Sequence, residues 1–495
     1  MELIHGFQVA FQPLNIFFCF IGVFVGTLIG VLPGIGPTAA IALLLPTTFA
    51  ISPVGAIIML SGIYYGAMYG GSTTSILVNI PGEAASVVTC LDGYAMARQG
   101  RAGPALGISA FGSFIAGTFS VIALMLVAAP LASVALKFGP PEYFSLMCLG
   151  LIILVYLTGG SVSKNIMMGL LGLILSFVGL DTFTGTPRFT FGLMQFVDGV
   201  GLVPLIMGLF GVAEVLANIG TLQKQQQIVK TDLKGLLPTL KDWRDSIAAI
   251  FRGSVIGFFL GILPGGGAII SSLVSYGVEK KISRHPEKFG TGIIEGVAAP
   301  EAANNAAVGG SLVPLLVLGI PTNSIIALLL AALVIHGVRP GPELLAKSPD
   351  IFWGFVASMY LGNAMLLLLN LPLISLWVQI LRVPYRVLFP FILLFTIIGT
   401  YSIQNSIFDI QLMLAFGVLG YLLRHFGFEL TPLVMAFVLG PMLEQAFRQS
   451  LIISRGSFDV FLFRPISLAF LLLATLVVLV SLLPIARRRA LDSLT

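Results

Sequence analysis

Two stretches decide how this chain folds: "GVLPGIGPTAA" at residues 30–40 and "GILPGGGAIIS" at residues 261–271. Each sets a Leu-Pro-Gly break inside an apolar run that would otherwise continue as one helix. Proline removes a backbone donor and clashes with the preceding turn, so a helix stops there. The helix that restarts behind the break presents free N–H groups and the positive end of its dipole.

The surrounding composition fixes the solvent. The chain is 57% hydrophobic and 9% charged, with a mean hydropathy of +1.02, which leaves too little polar surface for a soluble globule. Segments such as Pro465–Ala486 carry no charge over a length that crosses a hydrocarbon core of about 30 Å. The alternation of a β-barrel strand is absent. The expected class is therefore an all-α polytopic membrane protein. The opening "MELIHGF" lacks the basic region of a cleaved signal peptide, so Met1 is expected in the mature chain.

Other chemistries find little support. Cys19, Cys90 and Cys148 are scattered among apolar neighbours and suit buried free thiols. His5, His285, His336 and His425 form no ligand pair, so neither a metal site nor a cofactor is expected. The net charge of +5 resides in short loops rather than a continuous basic stripe, which argues against nucleic acid. Those charges read as topology signals. Lys224, Lys230, Lys234, Lys241, Arg244 and Arg252, and the closing Arg487, Arg488 and Arg489, belong on the cytoplasmic side by the positive-inside rule.

The chain repeats itself across its basic middle. "YGGSTTSILVNIPGEAAS" (69–86) answers "VGGSLVPLLVLGIPTNSI" (308–325), and "QGRAGPAL" (99–106) answers "HGVRPGPELL" (336–345). Gly169, Gly172, Gly179 and Asp181 match Gly417, Gly420, Gly427 and Glu429 at identical spacing. The expected organisation is a first transmembrane repeat at 1–222, a basic cytoplasmic linker at 223–252, a second repeat at 253–447, and an added C-terminal helix with a basic tail at 448–495. Counting spans back from each cytoplasmic segment puts matching bends on opposite sides, which makes the halves inverted repeats. Each Leu-Pro-Gly break is then the tip of a re-entrant hairpin. Irregular backbone at membrane depth must be surrounded by protein or a water-filled cavity, and two tips meeting near the midplane make a polar site.

The residues at the breaks suit an anion. Gly34, Gly36, Pro37 and Thr38 in the first tip, with Gly265, Gly266 and Gly267 in the second, let backbone approach a ligand. Kinks and close helix packing use the same residue types; the duplication favours a site. Gly71, Ser72, Thr73, Thr74 and Asn79 precede "IPGE", while Asn304, Asn305, Ser311, Thr322 and Asn323 surround "GIPT". These supply hydroxyls and amides for carboxylates, and carbonyls freed near Pro81 and Pro321 suit a transported Na⁺. Among the few acidic residues in apolar surroundings, Glu83 at a break and Glu301 in "APEAANN" are the candidates for ion coupling.

Together "GVLPGIGPTAAIALLLP", "YGAMYGGSTTSILVNIPGEAAS", "DGYAMARQGRAGPALGIS", "GILPGGGA", "EGVAAPEAANNAAVGGSLVPLLVLGIPTN" and "HGVRPGPELL" resemble the large membrane subunit of the tripartite tricarboxylate transporters, the TctA family. The resemblance runs over nearly the whole chain. It implies a bacterial inner-membrane permease, not an enzyme, that works with a small four-helix membrane subunit and a periplasmic solute-binding protein. It also implies Na⁺ or H⁺ gradients as the energy source and citrate-like, dicarboxylate or aromatic carboxylate substrates. Its motif positions here are Pro33–Pro37, Gly70–Glu83, Pro264–Gly267 and Pro300–Ser324. The sequence contains no G-x-x-x-x-G-K-[ST] phosphate loop, and the G-x-S-x-G elbow of a hydrolase is also missing.

Overall fold

The computed structural model describes residues 2–32, 36–158, 160–219, 235–265, 267–381 and 385–492. Pro33, Gly34, Gly266 and most of the basic linker lie outside them.

The described residues are mainly helical. In order the helices are α1 (Glu2–Ala10), α2 (Pro13–Val31), α3 (Pro37–Leu44), α4 (Pro53–Val78), α5 (Thr89–Arg98), α6 (Ala102–Ala135), α7 (Pro140–Leu157), α8 (Val162–Ser176), α9 (Leu202–Ile206) and α10 (Ala213–Ile219). A π-helical turn, Met207–Val212, joins the last two. After the linker come α11 (Leu240–Ile262), α12 (Gly267–Ile282), α13 (Glu295–Leu318), α14 (Ser324–Ile335), α15 (Leu344–Lys347) and α16 (Pro349–Asn370). The last are α17 (Ile374–Ile380), α18 (Tyr385–Gln404), α19 (Ile407–His425), α20 (Thr431–Ile453), α21 (Asp459–Phe463) and α22 (Pro465–Asp492). A two-residue antiparallel ladder, Gly179–Leu180 with Pro187–Arg188, is the strand pairing found among the described residues. Seven helices there, α2, α4, α6, α7, α11, α16 and α19, are long and apolar enough to cross a membrane. The protein is a multi-pass membrane protein.

Two helices cross the boundaries expected from the sequence. α11 begins at Leu240, inside the stretch assigned to the linker, because Thr239 caps it: its hydroxyl accepts the Asp242 N–H at 3.2 Å and Asp242 returns the bond. The basic residues Lys241, Arg244 and Arg252 therefore ride on a helix. Between α16 and α17 the helix is interrupted at residues 371–373, beside Pro372. α20 runs on past residue 447 to Ile453.

α4 and α13 form the centre, and each carries the helix that leads into a break. α2 lies on α4 through Gly22, Gly26 and Gly30, where an added Cβ would stand 2.3, 2.5 and 2.2 Å from carbonyl oxygens of α4. α11 lies on α13 through Gly253, Gly257 and Gly261, where the corresponding distances to Ala299, Ala303 and Ala307 oxygens are 2.4, 2.2 and 2.3 Å. Lipid offers no hydrophobic reward for helix association, so close backbone contact through small residues holds such pairs. The two halves also exchange partners: α6 packs on α13 and α16 on α4, while α8 packs on α20 and α19 on the π-helical turn.

Polar ties close the loops. Asp92 of α5 is buried and accepts N–H groups of Gly290, Gly292 and Ile293 at 2.8–3.0 Å, with the Tyr276 hydroxyl at 2.9 Å. Arg252 grips Glu279 with two bonds of 2.9 and 2.6 Å, pinning α11 to α12 away from their shared tip. Arg188 and Arg448 share Asp181 and Glu444, fastening the 177–201 loop to α20.

Candidate functional site

Both breaks arise where the sequence places them, and each is tied to the centre of its half. α2 ends at Val31, whose carbonyl accepts the Thr74 hydroxyl at 2.6 Å. α11 ends at Ile262, and Gly265, in the left-handed region at φ +77°, donates its N–H to the Thr322 carbonyl at 2.9 Å. The second break is thus stitched to the interruption between α13 and α14.

Those interruptions follow one local rule. α4 ends on Asn79 in the left-handed conformation and α13 ends on Gly319 in the same one, each before Ile-Pro. Behind the prolines, Glu83 caps the 3₁₀ turn Ala84–Val87 by accepting the Ala85 N–H at 2.6 Å. Asn323 caps α14 by accepting the Ile326 N–H at 3.0 Å. Glu83 and Asn323 therefore hold equivalent places in the two halves.

These elements enclose a cavity of about 540 Å³. Its wall takes Gly36, Pro37 and Thr38 from the first tip, Gly265 and Gly267 from the second, and Glu83, Asn323 and Ser324 from the caps. The N-termini of α3, α12 and α14 all open onto it. Free N–H groups and the positive ends of three helix dipoles then converge on one space, which favours an anionic occupant.

The remaining sequence candidates stand behind the wall. Gly71 faces Glu83: a Cβ there would lie 2.7 Å from the Glu83 Cγ. Ser72 bonds Glu301, Thr73 is buried, and Thr74 is spent on Val31. Asn304 donates to Glu83 Oε1 at 3.3 Å, and Asn305 donates to Ser113 Oγ at 2.7 Å. Ser311 returns its hydroxyl to the Val308 carbonyl, and the Thr322 hydroxyl is buried without a partner. Asn79 departs furthest from its expected place: it is an exposed helix cap outside the cavity lining. Its left-handed backbone, φ 58°, explains an asparagine there without a ligand.

Glu301 is fully buried and surrounded by hydroxyls. Ser72 and Thr89 bond its two oxygens and Ser109 donates to Oε2 at 3.1 Å. Among the described residues no group of three or more His, Cys, Asp or Glu side chains is placed to hold a metal ion.

Sequence reading missed the charged wall opposite the tips. Arg424 lines the cavity together with Tyr64, Thr158, Phe210, Glu214 and Thr431. Arg424 sits in the last turn of α19, pairs with Glu214 of α10, and stacks 5.7 Å above the Phe210 ring. No local motif marks it, because its ion-pair partner Glu214 and the ring beneath it, Phe210, come from a distant segment.

Comparison with known proteins finds a relative over nearly the whole chain. An Agrobacterium vitis protein described as "Uncharacterized 52.8 kDa protein in TAR-I ttuC' 3'region" is 51% identical over 98% of this chain and 96% of its own length. A second from the same organism, "Uncharacterized protein in TAR-II ttuC' 3'region", is 49% identical over 47% of this chain and 96% of its own. No solved structure matches significantly. The profile of the tripartite tricarboxylate transporter TctA family matches residues 16–435. A family match over most of the chain leads to one conclusion: the protein belongs to the TctA family, a component of tripartite tricarboxylate transporters.

Proposed function

We propose that the chain is the permease subunit of a binding-protein-dependent secondary transporter that imports tricarboxylates or related carboxylates. It has no catalytic role. A Na⁺ or H⁺ gradient supplies the energy, a small four-helix membrane subunit and a periplasmic solute-binding protein are its partners, and the bacterial inner membrane is its site. The C-terminus, with Arg487–Arg489, faces the cytoplasm.

One observation carries the reading: three helix N-termini, an asparagine cap and Arg424 meet at one cavity between the broken helices. Carboxylates are matched by N–H donors and a guanidinium. Glu83 and Glu301, behind or beside that wall, are the coupling candidates. The reciprocal packing of α8 on α20 and of α19 on the π-helical turn supports two inverted units, 1–222 and 253–447, that move against each other to expose the cavity alternately.

Uptake of labelled citrate into proteoliposomes holding the chain, its small subunit and the binding protein tests this, with competing carboxylates and separately imposed Na⁺ and pH gradients. Accumulation driven by one gradient and lost in Asn323→Ala supports the permease. Equilibration that ignores both gradients makes the chain a passive facilitator.

A further inference from the structure

Glu301 and Glu83 are the buried carboxylates nearest the cavity, and they are neighbours. Gly71 of α4 leaves room for the Glu83 side chain, while the next residue, Ser72, bonds Glu301. From the other side, Asn304 stands one turn beyond Glu301 on α13 and donates to Glu83 Oε1. Glu301 is 0% and Glu83 7% exposed, yet neither makes an ion pair with a basic residue among those described. Two uncompensated charges this close in a buried setting are not tolerated; such a pair takes up a proton and titrates as a unit.

Hydrogen-bond counting points the same way. The Ser72 hydroxyl has one hydrogen and two acceptors, Glu301 Oε2 and the Met68 carbonyl at 3.1 Å. A protonated Glu301 resolves this by donating to Ser72, which then donates to Met68, while Thr89 and Ser109 donate to Glu301. Asn304 is a second, independent sign. Its Oδ1 is buried with no donor, although its Nδ2 meets Glu83. With the amide turned over, that oxygen accepts a proton carried by Glu83.

We infer that Glu301 and Glu83 form one proton-binding pair, Glu301 the closed store and Glu83 the member open to the cavity, and that this pair carries the proton coupled to carboxylate movement. The inference rests on the permease reading above. A sodium ion fits the pair poorly. Both Glu301 oxygens already take hydroxyl donors, Ser72 and Ser109 on one and Thr89 on the other, so the inner member has no oxygen left open for a metal ion. The other titratable groups packed near the pair are Tyr69 and Tyr64 of α4 and Cys90 of α5; Glu214, Arg424 and Glu429 share the cavity wall with Glu83, and α6 and α12 present Ser109 and Ser272. Proton binding adds one H⁺ to the pair and release removes it, with no other reactant.

Difference infrared spectroscopy of the full chain in lipid nanodiscs tests the pair without any substrate. The expected result is a protonated-carboxyl C=O band at neutral pH that is unchanged between Na⁺ and N-methylglucamine buffers. It should be lost in Glu301→Gln and shifted in Glu83→Gln. Glutamine keeps the shape of a protonated glutamate, and thermal unfolding of both variants checks that they fold. No such band at neutral pH, a band erased by Na⁺, or a band indifferent to both substitutions overturns the inference. In the uptake assay, Glu301→Gln should keep substrate exchange while losing at least about tenfold of pH-driven accumulation. Failure of the wild type to move any carboxylate would sink the permease reading and leave the infrared result standing by itself.

Discussion

Gly265 donates its backbone N–H to the carbonyl of Thr322, so the tip between α11 and α12 and the interruption between α13 and α14 are held as one piece. The bond needs the left-handed backbone at Gly265, φ +77°, and the Cβ of any other residue would stand 3.1 Å from the Leu154 Cα. Gly265→Ala is expected to cost about 1–3 kcal/mol and to lower the unfolding temperature in detergent. Gly36→Ala is the control: φ is −69° and nothing lies within 4 Å of the added Cβ. Its stability should equal that of wild type, and a changed uptake rate would then report on the cavity wall.

The helix pairs beneath the tips make a second expectation. Gly26→Ala and Gly257→Ala each drive a Cβ to 2.5 and 2.2 Å from a carbonyl oxygen of the partner helix. Overpacking of this kind costs about 1–3 kcal/mol. The two substitutions should destabilise by similar amounts, because they sit at matching places on α2 and α11. Equal stability of both variants with wild type, measured by thermal unfolding, would mean that the close pairs are not held by backbone contact.

How much of this was legible beforehand depends on the range of each signal. The breaks, the Ile-Pro interruptions and most helices announce themselves locally, through proline, glycine and apolar run length. The matching roles of Glu83 and Asn323 follow from their shared distance behind Ile-Pro. Asn79 marks the limit of a local signal: an asparagine that caps a helix in the left-handed region, as it does here, and one that binds a ligand look alike in sequence. Arg424 was hidden for the opposite reason: it meets Glu214 across 210 positions, and only the packing of α19 on α10 brings the two together.

At the edge of the molecule, His5 of α1 bonds Asp350 of α16 at 2.7 Å. That hydrogen bond, with a further one from Gln8, raises the imidazole above its usual 6.5. A raised value in the folded state means that the tie is fully present below about pH 6.5 and is lost as pH climbs through the raised value. Protection of α1 against limited proteolysis should therefore weaken from mildly acid to alkaline buffer. Asp350→Asn should flatten that dependence; an unchanged pH profile in the variant would remove His5 as its source.

The ion pair of Arg424 with Glu214 holds the one guanidinium that lines the cavity among the described residues. A carboxylate entering the space competes with Glu214 for it, and a hydrogen bond between charged groups is worth about 1.5–3 kcal/mol. Arg424→Gln should accordingly raise the KM for uptake by roughly 10- to 100-fold, with a smaller change in kcat. Glu214→Gln releases the guanidinium from its competitor and should leave KM equal or lower. The two variants separate binding from structure: if both raise KM alike, the pair serves only to join α10 to α19. If Glu214→Gln alone keeps or improves affinity, Arg424 is a substrate-binding residue whose partner is displaced when the carboxylate arrives.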